Sequence, residues 1–296
     1  MRITNNIIHS RLIKNIQDST ERLAKSQERM STNKNISKPS DDPMGVSQII
    51  YYQRDLHKLR QAIRNAENAN AVLSHTDTII QQVVDLLTYV RTNATVMATD
   101  TVDENVRSDM ANEVDMIIKQ LIQKANTNFG NRYIFSGYRI LTEPYQEIEG
   151  QIKYQGDHGE IQQRIGNDEL MTVNIPGSYI FGSSNNGLFK ILQDLQQALK
   201  TNNRNGIQDF LSLADIEMNN ITKALGEVGA LMKRIDFNLN EMNELEILLS
   251  QQLSKVQDID VSKESIEYIT SQKTYQAILE VTSRKLQLPS LIDYLS

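Results

Sequence analysis

The sequence contains no cysteine among its 296 residues, which excludes disulfide bonds, thiolate chemistry and zinc sites built on cysteine. It also has no tryptophan, 5 prolines and 6% aromatic residues, and 39% of the chain is hydrophobic. A thick globular core uses more bulky apolar side chains, whereas a thin helical bundle buries one stripe of each helix. The composition therefore predicts a mainly α protein built from long elements.

Long apolar runs are missing as well. No stretch approaches the roughly 18 to 20 consecutive apolar residues that a membrane-spanning helix needs. The opening stretch, MRITNNIIHSRLIKN, lacks the continuous apolar core of a cleaved secretory signal. We therefore expect no membrane partner, and export, if it occurs, by a route without a cleaved signal.

Charge is distributed unevenly along the chain. The formal net charge is −6, yet residues 1–40 contain eight Lys or Arg against three acidic residues. No aromatic side chain lies among these basic residues to stack on bases. We interpret them as a solvated helix face and expect no nucleic-acid partner.

Motifs that carry chemistry are absent. The four histidines stand far apart, and none has a second ligand at metal-binding spacing on a helix. Glycine-rich nucleotide motifs and the GxSxG elbow do not occur. Paired carboxylates such as Asp103 and Glu104 lie at predicted helix starts or turns, where they stabilise free amides. We therefore expect no enzymatic activity, no cofactor and no metal.

The stretch SKPSDDPMG, residues 37–45, places two carboxylates between two prolines. Asp42 followed by Pro43 is typical of a helix cap and a first helical position, because proline needs no amide partner there and the carboxylate accepts from free amides. We interpret Asp42 and Pro43 as a cap and turn between two helices rather than as a catalytic pair.

Apolar periodicity predicts helices on both sides of this turn. Residues 1–36 form an interrupted seam, in which serines occupy places where a self-sufficient coiled coil has leucine, so this helix needs a partner. Long helices are predicted over 46–97 and 104–128, the second ended by Gly130. Helix is predicted again from about residue 187 to the end.

The strongest periodicity lies between residues 225 and 256, where nine of ten heptad seam positions are apolar and only Glu246 departs. Packing within the chain explains this pattern as well as packing between subunits. The residues expected to pack between helices or subunits are Ile16, Leu23, Met30, Leu239, Met242, Leu249, Leu253 and Val256.

A different texture separates the helical parts. Residues 131–186 are rich in Tyr, Ile, Val and Gly in short alternating segments around turns such as GDHG, which predicts β-hairpins. We expect a mainly α fold, a long antiparallel helical bundle or coiled-coil rod, with a small β-rich inserted domain. The predicted segments are 1–40, 41–130, 131–186, 187–256 and 257–296, of which the third is the β-rich insert and the others are helical.

Four stretches resemble the bacterial flagellin family. They are MRITNNII at 1–8, SKPSDDPMG at 37–45, GNRYIFSGY at 130–138 and KLQLPSLIDYLS at 285–296. The resemblance covers roughly residues 1–140 and 190–296. The combination of SDDP with YIFSG, and the small insert, are most similar to the members that join hook to filament.

The resemblance implies a structural subunit of the bacterial flagellum, exported through the flagellar type III apparatus and located outside the cell. In this family the N- and C-terminal helices pair during self-assembly. The implied partners are hook-associated protein 1, flagellin, further copies of this chain in a ring, and a flagellar export chaperone. The residues expected to form the C-terminal assembly or chaperone interface are Leu286, Leu288, Leu291, Ile292 and Leu295.

Two alternatives stay open. A short flagellin would polymerise into the filament itself. A cytoplasmic coiled-coil scaffold would explain the heptads but not the β insert or the terminal motifs.

Overall fold

The computed structural model describes residues 2–165, 170–183 and 186–287. These residues are mainly helical, with a small β-rich insert, so the predicted fold class is confirmed. The helices are α1 Arg2–Thr32, α2 Pro43–Met97, α3 Glu104–Ala125, α4 Gly177–Ile180, α5 Leu188–Lys200, α6 Arg204–Gln257 and α7 Val261–Gln287.

The strands pair as three antiparallel hairpins, β1 with β2, β3 with β4 and β5 with β6. Their bounds are β1 Asn128–Phe129, β2 Arg132–Tyr133, β3 Tyr145–Ile148, β4 Gln151–Tyr154, β5 Gln162–Arg164 and β6 Leu170–Thr172. Among the described helices, none combines the length and the apolar character needed to cross a bilayer.

The chain divides into two compact units. One contains residues 1–58 and 245–296, and the other contains residues 59–244. Helices α2 and α6 each contribute to both units. The five-segment division expected from the sequence stays a prediction.

Helix α2 supplies much of the core of the 59–244 unit, because its apolar residues recur every three or four positions and face inward. Two side-chain contacts show that α6 runs antiparallel to it. Arg91 Nε donates to Asp215 Oδ1 at 2.6 Å, and Asn70 Nδ2 donates to Asp236 Oδ1 at 3.1 Å. Later residues of α2 thus face earlier residues of α6.

Helix α3 ends earlier than the sequence predicts. Asn126 leaves the helix because its side chain binds the backbone of Tyr145 twice, accepting from N at 2.8 Å and donating to O at 2.7 Å. The prediction that Gly130 stops this helix is wrong. Gly130 and Asn131 have φ of 58° and 66° and form the turn between β1 and β2, where consecutive positive φ values are required.

A break between α5 and α6 at residues 201–203 was not predicted from the sequence. The buried side chain of Arg107, in α3, explains part of it. Its Nε and Nη2 donate to the carbonyl oxygens of Met97 and Thr99 at 2.9 and 2.8 Å, and its Nη1 donates to Asn202. One guanidinium therefore joins the end of α2, the start of α3 and the α5–α6 connection.

Candidate assembly site

The turn at residues 37–45 is built from local hydrogen bonds to its two carboxylates. Asp42 immediately precedes α2, and its Oδ1 accepts from the amide of Met44 at 3.0 Å. Asp41 Oδ2 accepts from the amide of Lys38 at 3.0 Å. Both carboxylates are exposed and are occupied by backbone donors, which is the chemistry of a cap and a turn.

Gly45 allows the turn to close on the first turn of α2. A Cβ at this position would overlap the side chain of Ile36 and lie 2.7 Å from Asp42 Oδ2. Ile36 is buried in this contact. Any larger residue at this position would therefore have to displace the side-chain ends of Ile36 and Asp42.

The α1–α2 connection also pairs with the α6–α7 connection. The amide of Asn35 donates to the carbonyl of Gln257 at 2.7 Å, and the amide of Ile259 donates to the carbonyl of Asn33 at 3.3 Å. Lys34 and Asp258 form an antiparallel bridge between them. The two reversals of the chain are thus joined by backbone hydrogen bonds.

Helices α1 and α7 pair closely and run antiparallel away from these reversals. The face of α1 turned towards α7 carries the half-buried apolar residues Ile16, Leu23 and Met30, together with Ser19 and Ser26, which are buried. Seam serines let two helices approach closely but bury little apolar area. The pair therefore gains less from burial than a leucine seam would give it.

A polar cluster lies inside this pair and was missed by the sequence reasoning. Ser26 Oγ donates to Glu264 Oε1 at 2.6 Å, and Arg29 Nη1 lies 3.5 Å from Glu264 Oε2. Glu264 is 5% exposed and Ser26 is 1% exposed. A glutamate in the first turn of a helix is usually exposed and stabilises the helix through its dipole. The sequence therefore gives no signal that Glu264 is buried.

The opposite face of α7 carries a second set of apolar side chains. Ile266 is 68% exposed, Ile269 is 49% exposed and Val281 is 59% exposed. We call these three residues the outer stripe of α7. The stripe has no partner within the described residues of this single chain, so it is available to another chain.

The side chains of the predicted seam residues of α6 are buried to different degrees. Met242 is buried, whereas Leu239, Leu249, Leu253 and Val256 are half-buried. Whether any of them contacts a neighbouring subunit stays a prediction.

The predicted C-terminal interface falls largely beyond the described residues. Leu286 lies in α7, and its side chain is not described. The remaining residues of that set, Leu288, Leu291, Ile292 and Leu295, lie outside the described residues.

The motif YIFSG is placed in the insert, where its phenylalanine belongs to a buried aromatic cluster. Phe135 meets Phe181 edge to face with ring centroids 5.4 Å apart, and Tyr145 packs on Phe181 and Phe189 at 5.5 and 5.1 Å. Tyr154 donates its hydroxyl to the carbonyl of Phe135 at 2.8 Å. Burial is the main cause that raises the pKa of Tyr154 to about 12. The motif therefore holds the insert together.

Nothing in the described part of the chain groups three or more His, Asp or Glu side chains in a way that could hold a metal ion. Three of the carboxylates singled out in the sequence, Asp41, Asp42 and Asp103, accept hydrogen bonds from backbone amides. For example, Asp103 Oδ1 accepts from the amide of Glu104 at 2.8 Å at the start of α3.

Comparison with known families decides the class of this protein. The model of the bacterial flagellin N-terminal helical region matches residues 3–139, and that of the C-terminal helical region matches residues 211–295. The chain belongs to the bacterial flagellin family. The N-terminal match covers α1 except for its first residue, and the C-terminal match covers α7. The resemblance noted in the sequence is confirmed.

A relative within the flagellin family is flagellar hook-associated protein 3 of Escherichia coli (strain K12). It is 27% identical over 301 residues, which cover 94% of this chain and 94% of that protein. This chain is therefore similar to hook-associated protein 3 over nearly its whole length, and it is a structural protein of the flagellum. The families and relatives named here are not enzymes.

Solved structures agree on the fold. A putative flagellar hook-associated protein from Vibrio parahaemolyticus has a TM-score of 0.69 at 18% identity and covers 74% of this chain and 100% of that chain. A flagellar junction protein from Legionella pneumophila has a TM-score of 0.60 at 16% identity and covers 71% and 99%. At these identities the likeness is one of fold.

Proposed function

We propose that this flagellar protein is the adaptor that joins the hook to the filament. The observation that carries the proposal is the match to hook-associated protein 3, which spans 94% of both chains. The structural neighbour from Legionella pneumophila is itself named a junction protein. A ring of copies would meet hook-associated protein 1 on one side and flagellin on the other.

The character of α1 and α7 supports the proposal that copies of this chain self-assemble through their paired N- and C-terminal helices. Their shared seam contains Ser19 and Ser26, so pairing within one chain buries little apolar area. The outer stripe of α7 offers further apolar area to a neighbouring copy. Assembly would thus supply stabilisation that the isolated pair lacks.

We propose that the C-terminal residues bind two partners in turn. Leu286, Leu288, Leu291, Ile292 and Leu295 would bind an export chaperone before export and neighbouring subunits after it. Export through the flagellar type III apparatus requires a chain that unfolds readily. The absence of cysteine suits that route, because no disulfide has to be broken.

Deletion of the gene in the source bacterium tests the adaptor role. The expected phenotype is intact hooks without filaments, with flagellin released into the medium because it has no surface on which to polymerise. Complementation with the unchanged gene is the control. Filaments that persist on the deletion strain would contradict the adaptor role.

The second candidate, a short flagellin, predicts a different result. Deletion would then remove the filament subunit itself, and no other flagellin would accumulate in the medium. Quantifying flagellin in the medium and on the cells therefore separates the two functions.

A further inference from the structure

We infer that Asn186 is a site of spontaneous deamidation, at which its side-chain amide cyclises onto the backbone amide of Gly187. The inference concerns the single chain and is independent of the junction function. The sequence contains two Asn-Gly dipeptides, Asn186–Gly187 and Asn205–Gly206. Asparagine is a thermolabile residue, and a following glycine has no side chain to obstruct the attack of its nitrogen. The two dipeptides lie in different structural settings, and this difference decides which of them reacts.

The reaction is intramolecular and consumes only water. The backbone nitrogen of Gly187 attacks Cγ of Asn186 and forms a new C–N bond. The proton of that backbone amide passes to the side-chain nitrogen, which leaves as ammonia, and a cyclic imide remains. Water then opens the ring at either carbonyl and gives aspartate or isoaspartate. Such an intramolecular attack is fast wherever the two reacting groups can meet.

The loop before α5 supports this attack at Asn186, whose side chain is exposed. Ser183 Oγ donates to Asn186 Oδ1 at 2.9 Å. This oxygen gains negative charge when Cγ is attacked, so the hydroxyl stabilises the intermediate. Among the residues that the structure describes, the amide of Gly187 donates to no acceptor, so its nitrogen is free to attack.

The same loop requires a glycine after Asn186. Gly187 has φ of 106° and ψ of −167°, a combination that is essentially restricted to glycine. A Cβ at this position would also overlap Gly182. The attacking nitrogen therefore belongs to a residue that has no side chain to shield it.

The second dipeptide is held in a helix. Asn205 and Gly206 lie in the first turn of α6, where the helical backbone keeps Cγ of an asparagine away from the nitrogen that follows it. The amide of Gly206 donates to Asn203 Oδ1 at 3.3 Å, so this nitrogen is engaged in the cap of the helix. Cyclisation at Asn205 therefore requires the first turn of α6 to open.

Deamidation at residue 186 adds a negative charge next to α5. The N-cap of this helix is Gly187, which provides no side-chain hydrogen bond to the free amides. Aspartate at 186 would place a carboxylate near these amides, where the helix dipole favours it. Isoaspartate would lengthen the backbone where Gly182 and Gly187 approach closely. Because the lost ammonia is not regained, the converted fraction records the age of the chain.

Ageing of the purified full chain, followed by peptide mass spectrometry, compares both dipeptides in one sample. Asn186 should convert roughly tenfold faster than Asn205, because only Asn205 must first lose a helix cap and open a turn. The rate at Asn186 should rise with pH, since the attacking nitrogen has to lose its proton. Equal rates at the two positions, or no conversion at Asn186, would overturn the inference.

Two variants test the structural reasons for the difference. Ser183→Ala removes the donor to Asn186 Oδ1 and should slow conversion there by about two- to tenfold, the range expected for loss of one hydrogen bond. Asn203→Ala is the matched control, because it removes the acceptor for Gly206 and should speed conversion at Asn205 alone. An unchanged or faster rate at Asn186 in Ser183→Ala would overturn the role assigned to the hydroxyl. An unchanged rate at Asn205 in Asn203→Ala would contradict protection by the helix cap.

Discussion

The carboxylate of Asp157 packs directly against Gly137. A Cβ at Gly137 would overlap Asp157 Oδ1, and the same oxygen accepts from the amides of Tyr138 and Gly159 at 2.7 and 2.9 Å. Gly137 has φ of 68°, in the left-handed region. The glycine of YIFSG thus meets two demands at once, a backbone conformation and a close approach.

This relationship predicts that Gly137→Ala destabilises the 59–244 unit more than a change of conformation alone would. Gly150→Ala is the matched control, because Gly150 has φ of 75° but nothing near its would-be Cβ. Gly150→Ala should lower the free energy of unfolding by about 1–2 kcal/mol, because alanine is strained in the left-handed region. Gly137→Ala should cost roughly 1–3 kcal/mol more through overlap with Asp157. Urea unfolding of the full chain measures both, and equal losses would show that the overlap is relieved.

The cap at the start of α2 gives a second prediction. Asp42→Ala removes the acceptor for the amide of Met44 and should lower the free energy of unfolding by about 1 kcal/mol. Asp42→Asn keeps an acceptor and should lose much less. Thermal unfolding and metal analysis of both variants check this. A bound metal lost from Asp42→Ala would contradict the capping role.

Sequence reasoning located most long helices, because their apolar periodicity extends over many turns. It failed where one residue type serves two structural roles. Gly130 fits a helix stop as well as a hairpin turn, and only the pairing of Phe129 with Arg132 identifies the turn. The break at 201–203 has no Gly or Pro, and a contact between Arg107 and Asn202 across the fold accompanies it.

The candidate assembly site could be predicted only in part for the same reason. Ile266, Ile269 and Ile278 look alike in sequence, yet Ile278 faces α1 while the other two face outward. Periodicity indicates that a helix is apolar, but not which of two apolar faces is used within the chain. Glu264 was missed because its burial depends on Ser26 and Arg29, which are far away in the sequence.

Alkaline pH should lower the stability of the insert, because the buried phenol of Tyr154 ionises. Burial and the nearby Asp157 raise the pKa of Tyr154 to about 12, compared with about 10 for an unperturbed tyrosine. The folded state keeps this phenol protonated to higher pH than the unfolded state. Its contribution to stability is therefore complete below about pH 10 and is lost as the pH rises towards 12.

Urea unfolding at a series of alkaline pH values tests this, with Tyr154→Phe as the comparison. Tyr154→Phe lacks the hydroxyl that donates to the carbonyl oxygens of Phe135 and Asp157. Its free energy of unfolding at neutral pH should therefore be about 1 kcal/mol lower. It should also show a shallower loss of stability between about pH 10 and 12. Identical pH slopes for the two chains would refute the assignment.

The outer stripe of α7 predicts an assembly defect without a folding defect. Ile266→Asp places a charge on a side chain that is 68% exposed, so unfolding of the single chain should change by less than about 0.5 kcal/mol. Incorporation into flagella should be lost, because the charge would be buried in the subunit contact. Ile216→Asp changes an isoleucine in α6 that is 56% exposed and is the matched control. Normal incorporation of Ile266→Asp would show that the outer stripe is not part of the subunit interface.

Immunogold electron microscopy of detached flagella, with antibody against this protein, tests the central claim most directly. The adaptor role predicts label confined to a narrow band between hook and filament. Label along the whole filament would contradict it and would make the protein a filament subunit.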